Sequence, residues 1–521
     1  MALQIPSQKQ PGPDSFPTQP DAVRDWVSTL YPLTSMDSCR ALFRGLKHSN
    51  RLETDNASRV EIATILEPAI EDAIAVLREE FLDLSLPFPL RAAQARQLAL
   101  DLLLEQTFTY KIIVSETNND SAQTPGPSRQ LAIYQALRTL SKLYECHLLS
   151  HSEPDPILLH DANTLFNEAG EDDLIDQTLD SEAPDGVTAW SILNAYVYLQ
   201  LLSLSCPYDQ RQRQLPTLFQ FLTEHTPKLT VKPYKAAESN NDSVYAIHHT
   251  QAGRPQRLKH TARDTDANLL TLDVAPLLAA LDQVAERAPE TINTFYEGET
   301  LSRSGLILLR EALDRQKTRR VARAITRKTV HTEISLRHVS AAIRFTTVSE
   351  ADAIPAEATQ LSDSWPSVPI HRKGRWIVCN ENRFGACLEW LDKEPTDAAV
   401  GQVIALKRTT KAKVPTWVTG IIRWIKSLGP AHLKIGIEFL GTEASALKVE
   451  LTTEEQTTNH DCVRTLLLTG VFQSDARVAL ITPPLIFRQG EEIITEDKPL
   501  LLEERLASTG GFDVFGVVDK P

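Results

Sequence analysis

The stretches NENRFGACLEW (380–390), GIIRWIK (420–426) and KIGIEFLG (434–441) decide the fold. In each, apolar residues alternate with polar or small ones, strand formers such as Ile and Trp recur, and Gly stands at the junctions. This is the two-residue period of half-buried β-strands. Upstream lies DRQKTRRVARAITRK (314–328), in which Arg315, Arg319, Arg323 and Arg327 recur every four residues and Asp314 is the only acid. On a helix these four arginines form one stripe.

Together these pieces resemble a PilZ domain, the small antiparallel β-barrel that binds cyclic di-GMP. That family carries an RxxxR segment before its first strand, a (D/N)xSxxG turn, and a strand pair of the GxIRW and xGIxF kind. Here Asn380 and Gly385 occupy the ends of the turn motif, and Asn382 stands where the family has Ser. Three RxxxR frames overlap (315/319, 319/323 and 323/327), and the last is nearest the first strand, read as TVHTEISLRHVSAAIRFTT (329–347). The resemblance implies that Arg323 and Arg327, with Arg319 in reserve, hold phosphate and guanine, and that Asn380, Asn382 and Gly385 shape the turn beneath the ligand. Guanidinium groups suit such a ligand because they bond phosphate oxygens in pairs and stack on base faces. The competing reading of the arginines is a solvated basic helix face, continuous with SGLILLREALD from Ser304 to Arg327. The competing reading of the turn is a polar hairpin that only preserves the barrel.

A chain of 521 residues exceeds what one core can organise, and 42% apolar content allows most of it to fold. A net charge of −14 argues against nucleic acid or an anionic membrane surface as partner of the whole molecule. Six scattered cysteines form no CxxC pair, so neither zinc nor a disulfide framework is expected. The first 20 residues lack the apolar core of a signal peptide, and no run of about 18 apolar residues occurs. The expectation is a cytoplasmic protein without membrane insertion.

The chain divides by texture. Residues 1–20, rich in Pro and Gln, read as a disordered tail. From 21 to 228 the period is helical: Ile62, Ile65, Leu66, Ile70, Ile74 and Leu77 form one face behind a cap at Asp55–Ser58, with further helices at 89–112, 127–150, 156–168, 187–204 and 209–225. Residues 229–300 read as a small α+β connector and 301–450 as the PilZ-like barrel. The barrel would carry an acidic loop at 349–369 and a closing helix at 445–453. Residues 451–521 are β-rich, either an appended sheet or a second barrel. The fold class is therefore multidomain α+β, an all-α domain followed by an antiparallel barrel and a C-terminal β extension.

The remaining motifs carry little chemistry. Glu311-Ala312-Leu313 matches the signature tripeptide of cyclic di-GMP phosphodiesterases without the carboxylates of a two-metal site. His147 and His151 are four apart, but Leu148 follows the first where a zinc protease needs Glu. No nucleophile elbow or P-loop is present, so no catalytic residue, metal or cofactor is expected. The reading is a non-enzymatic cyclic di-GMP receptor that engages an unidentified protein partner through its helical domain. The alternative is a degenerate adaptor that binds no nucleotide and acts by protein contacts, as in motility or pilus machinery.

Overall fold

The computed structural model describes residues 3–31, 35–118, 127–179, 190–205, 207–234, 242–258, 269–287, 303–314, 323–351, 375–392, 394–409, 415–450, 462–471, 478–495, 498–509 and 511–519. Its first part is all helical: α1 (Pro20–Ser28), α2 (Ser35–Ser49), α3 (Asn56–Glu79), α4 (Leu90–Asn118), α5 (Pro127–Leu149), α6 (Ile157–Glu171), α7 (Ile192–Ser205) and α8 (Leu215–His225). In α3 the expected face is buried through Ile62, Leu66, Ile70, Ile74 and Leu77, and Asp55 caps the helix by accepting from the Ser58 N–H at 2.9 Å. Helix α7 has no charged residue and is buried almost all round, so it forms the centre of this part. A buried ion pair, Lys111 to Asp161 at 2.6 Å, ties α4 to α6. No described helix is long and apolar enough to cross a membrane.

The N-terminal tail departs from the disorder that its composition suggests. The Lys9 N–H donates to the Arg51 carbonyl, the Glu53 N–H donates to the Lys9 carbonyl, and Phe16 sits edge-on to Trp26 at 4.8 Å. The tail is thus tied to the helical part by main-chain and ring contacts, although none of its described residues is buried.

The connector is a four-stranded sheet of β1 (Val231–Pro233), β2 (Val244–His248), β3 (Gln256–Arg257) and β4 (Leu269–Asp273), in the order β1-β4-β2-β3. It is followed by α9 (Ala275–Arg287) and α10 (Arg303–Asp314). Tyr245 and Arg257 both donate to the carbonyl of Leu313, giving partners to the orphan acceptor at the end of α10. The expected continuous helix to Arg327 is therefore corrected. The helix is described as far as Asp314, residues 315–322 lie outside the described residues, and from Ala324 through Arg327 the chain is a strand.

Two closed six-stranded antiparallel barrels complete the fold. The first comprises β5 (Ala324–Ile334), β6 (Arg375–Asn382), β7 (Gly385–Trp390), β8 (Val403–Thr409), β9 (Pro415–Gly429) and β10 (His432–Phe439), in the order β10-β7-β6-β5-β8-β9. The second comprises β11 (Glu443–Glu450), β12 (Cys462–Thr469), β13 (Val478–Thr482), β14 (Glu492–Thr495), β15 (Pro499–Ser508) and β16 (Asp513–Asp519). Two expectations fail here. Residues 336–351 form a helix, α11 (Leu336–Ala351), where the first strand was expected to continue, because Ser335 turns the chain with φ 79°. Residues 445–450 belong to strand β11, held between β12 and β14, where a closing helix was expected, and 451–453 lie outside the described residues.

Helix α11 lies between the barrels. Its Val339 and Ile343 pack with Val403 and Ile421 of the first barrel and with Leu466 and Ile481 of the second, in one apolar cluster. On its other side the first barrel shares a continuous core with the helices. The joint is also polar: Thr396 donates to the Leu86 carbonyl, Arg211 donates to the Val400 carbonyl, and the Lys426 ammonium lies 4.6 Å from the centre of the Tyr208 ring.

Candidate functional site

The β6–β7 hairpin presents the turn motif on the outside of the first barrel. Trp376 and Val378 point into the core, as do Ala386, Leu388 and Trp390. Asn380 faces Cys387 across the hairpin, and Cys387 in turn faces Gly436 of β10, so these three stand in one row on the outer surface. The next position in the row is Trp424 of β9, the cross-strand partner of Gly436. A Cβ on Gly436 would lie only 1.9 Å from the Trp424 Nε1. The indole therefore packs over Gly436 only because residue 436 has no side chain.

Arg323, immediately before β5, reaches this row: its Nη1 donates to the Asn380 Oδ1 at 3.0 Å. Arg327 does not join it. The β5–β6 register shifts between Ile325 and Lys328, a bulge that places Thr326 and Arg327 opposite the single residue Cys379 and leaves Arg327 exposed. Arg319 and Arg315 lie outside the described residues. Asn382 is engaged within the turn itself, its Oδ1 accepting from the N–H groups of Phe384 at 2.9 Å and Gly385 at 3.1 Å. Gly385 is required by close packing, since a Cβ there would fall 2.2 Å from the Ile437 carbonyl oxygen. Sequence reading thus brings together Arg323, Asn380 and the turn, and it misses Trp424 and Gly436. For Gly436 the signal was available, because it stands between the inward Ile435 and Ile437, but Ile422 and Ile425 are three residues apart and only the register shift in the β9–β10 pair turns Trp424 outward, which strict alternation does not foresee.

The electrostatics favour binding over chemistry. Burial pushes the Cys379 thiol up to about 11, and burial likewise raises Cys387 although Lys434 and Arg323 pull it part of the way back. Both thiols stay protonated, so neither serves as a nucleophile at neutral pH. Lys434 and His432 are held by Glu389, the lysine at 3.5 Å. Arg383 lies over the Phe384 ring at 4.4 Å at the tip of the hairpin. Arg408 pairs with Glu381 at 2.7 Å beside the row. A guanidinium, an amide and a flat indole on a shallow outer face suit a planar, anionic ligand. Among the described residues no group of three or more His, Cys, Asp or Glu could hold a metal ion.

Comparison with known proteins bears on both halves of the chain. Residues 340–446 match the family model of the middle PilZ domain of the cyclic-di-GMP receptor FimW, and residues 21–236 match that of the N-terminal domain of the same receptor. Over an alignment 574 positions long, gaps included, the chain is 21% identical to the cyclic-di-GMP receptor FimW of Pseudomonas aeruginosa, covering 99% of this chain and 93% of that one. No solved structure matches.

Proposed function

We propose that this chain, whose first barrel is a PilZ domain, is a cytoplasmic, non-enzymatic receptor for cyclic di-GMP that passes the binding event to a protein partner through its helical domain. The observation that carries the reading is the Arg323–Asn380 contact at 3.0 Å, which sets a guanidinium at one end of the cross-strand row that runs through Cys387 and Gly436 to Trp424. On this reading Arg323 and Arg327, with Arg319 ahead of them, hold the phosphates and a guanine. Asn380 orients the first of these arginines, and Asn382 and Gly385 fix the turn. The full-length relationship to a protein named as a cyclic-di-GMP receptor supports the ligand. The match of residues 21–236 to that receptor's N-terminal domain supports a helical unit retained together with the barrel.

The Glu311–Leu313 tripeptide gives no support to turnover of the nucleotide. It forms the last turn of α10, with Leu313 buried in the core. Calorimetry of the full chain with cyclic di-GMP tests the proposal. The full chain is needed because the barrel shares its core with the helices. A saturable heat at micromolar ligand or below is expected. Its absence at high micromolar ligand would leave an adaptor that works by protein contacts alone.

A further inference from the structure

The two barrels are built on one plan. Numbered from one to six along the chain, the strands of each stand in the order 1-2-3-6-5-4 and close from the fourth back to the first, antiparallel throughout. The likeness extends to a detail. The sixth strand of each carries a glycine between two inward apolar residues, Ile435-Gly436-Ile437 in β10 and Phe515-Gly516-Val517 in β16. Each glycine stands opposite the third strand, at Cys387 and at Ala479, and beside a register shift against the fifth. Bulges are kept within a family, so a shared order, glycine and irregularity mark a repeat.

The rows through the two glycines differ in chemistry. In the first barrel Asn380 and Cys387 lead to Gly436, and Asn380 accepts from Arg323. In the second, Ala444, Leu468 and Ala479 lead to Gly516. No Arg or Lys occurs at 435–442, ahead of β11. The lumen of the second barrel is filled by Val449, Leu480, Leu502 and Phe515. The alternate residues Leu466, Leu468, Ala479 and Ile481 therefore point outwards, yet all four are buried. Helix α11 lies along β11 and β12 and shares their apolar cluster. Its Leu336, Val339 and Ile343 are spaced i, i+3 and i+7, one stripe of a helix, while Arg337 and Arg344 are exposed. This is the pattern of an amphipathic helix laid in an apolar groove.

We propose that residues 443–519 are a second barrel of the PilZ plan, in which the outer face that takes nucleotide in the first has become a helix-binding face with α11 as its ligand. The comparison with a nucleotide face rests on the function proposed above; the repeat and the helix contact do not. The second barrel contributes recognition of an amphipathic helix and no second nucleotide site.

The full chain carrying Val339→Ser and Ile343→Ser, ¹³C-labelled at its Ile and Leu methyl groups, is titrated with a peptide of residues 336–351 and with the same peptide bearing both serines. The unaltered peptide is expected to shift the Leu466, Leu468 and Ile481 methyls saturably. It should bind at least about tenfold more tightly than the serine peptide, which lacks two aliphatic anchors. The parent chain should take it at least about tenfold more weakly than the variant does, because its own helix is tethered at the site. A variant that ignores the peptide, or two peptides that bind alike, would overturn the proposal. Should the variant not fold, hydrogen exchange of the unaltered chain decides. Helix α11 and strand β12 should lose protection together as urea is raised, and an α11 that exchanges freely beside a protected β12 would overturn the proposal. Calorimetry of the parent should return one cyclic di-GMP per chain, and two would likewise overturn it. No nucleotide heat at all would end the receptor reading and leave the helix-binding result standing.

Discussion

The main-chain N–H of Ser427 donates to the carbonyl of His151 at 2.8 Å, joining strand β9 to the loop that follows α5. Trp424, on the proposed nucleotide face, is three residues away on the same strand. A ligand that settles on the indole therefore presses on a rigid element whose other end is bonded to the helical part. Hydrogen exchange should show cyclic di-GMP altering protection at 424–427 and, with it, at 150–153. Protection confined to the hairpin and β5 would show that β9 carries no signal.

Arg323→Ala should lower cyclic di-GMP affinity at least about tenfold, the loss of one charge-assisted hydrogen bond. Arg327→Ala, on the exposed bulge, should cost less, and Arg315 least. Affinity should also fall as salt is raised. Calorimetry that returned equal, small losses at all three positions would replace the site with a diffuse basic patch.

Asn382→Ala removes the acceptor of two turn N–H groups and should destabilise the fold by about 1–2 kcal/mol in urea denaturation. Asn382→Ser keeps an oxygen that can accept at the turn and should recover part of that loss. A Ser variant that also binds nucleotide more tightly would show that the longer amide obstructs the site.

Gly436→Ala should force Trp424 off the sheet. A loss of about 1–3 kcal/mol, typical of overpacking, is expected together with a change in tryptophan emission and weakened nucleotide binding. Unchanged affinity in a folded variant would remove the indole from the site.

Burial holds both His147 and His151 neutral, down to about 4 from an ordinary 6.5. For each, the unfolded chain binds a proton that the folded chain refuses. Stability is therefore full above about pH 6.5 and declines as pH falls towards 4, by about 2 kcal/mol per histidine at about pH 5. Glu67 and Glu116, whose pKa values burial raises, act in the opposite sense. A comparison of urea midpoints at about pH 7 and 5 between the parent and His151→Asn isolates the histidine: the variant should show the smaller drop.

Much of this architecture was legible because burial on one face leaves a period in the sequence. Helix α3 and strands β9 and β10 could be read from Ile spacing alone. The failures occurred where the deciding partner is distant. Residues 445–450 become a strand because β12 and β14 bracket them, and the local sequence does not contain those neighbours. The arginine spacing misled for another reason. A repeat of four lies on one face of a helix, but it also lies on one face of a strand, four being a multiple of two. The bulge at Thr326–Arg327 then separated two residues that both readings had kept together. Helix α11 was read as strand because the alternation of Val330, Thr332, Ile334 and Leu336 was carried on past Ser335, whereas Val339 and Ile343 pack as one helix face between the two barrels.

The seat of α11 between the barrels has a consequence for how the molecule is made. Val403 and Ile421 of the first barrel are covered in part by residues of β12 and β13, and the second barrel closes only when β16 pairs with β13 and β15. During synthesis the PilZ barrel thus emerges with an apolar flank uncovered until almost the last strand has left the ribosome. A frameshift or stop codon just before Asp513 would leave the second barrel unclosed and that flank without its proper cover, so such an allele should yield aggregated protein, although every residue of the nucleotide face is still encoded.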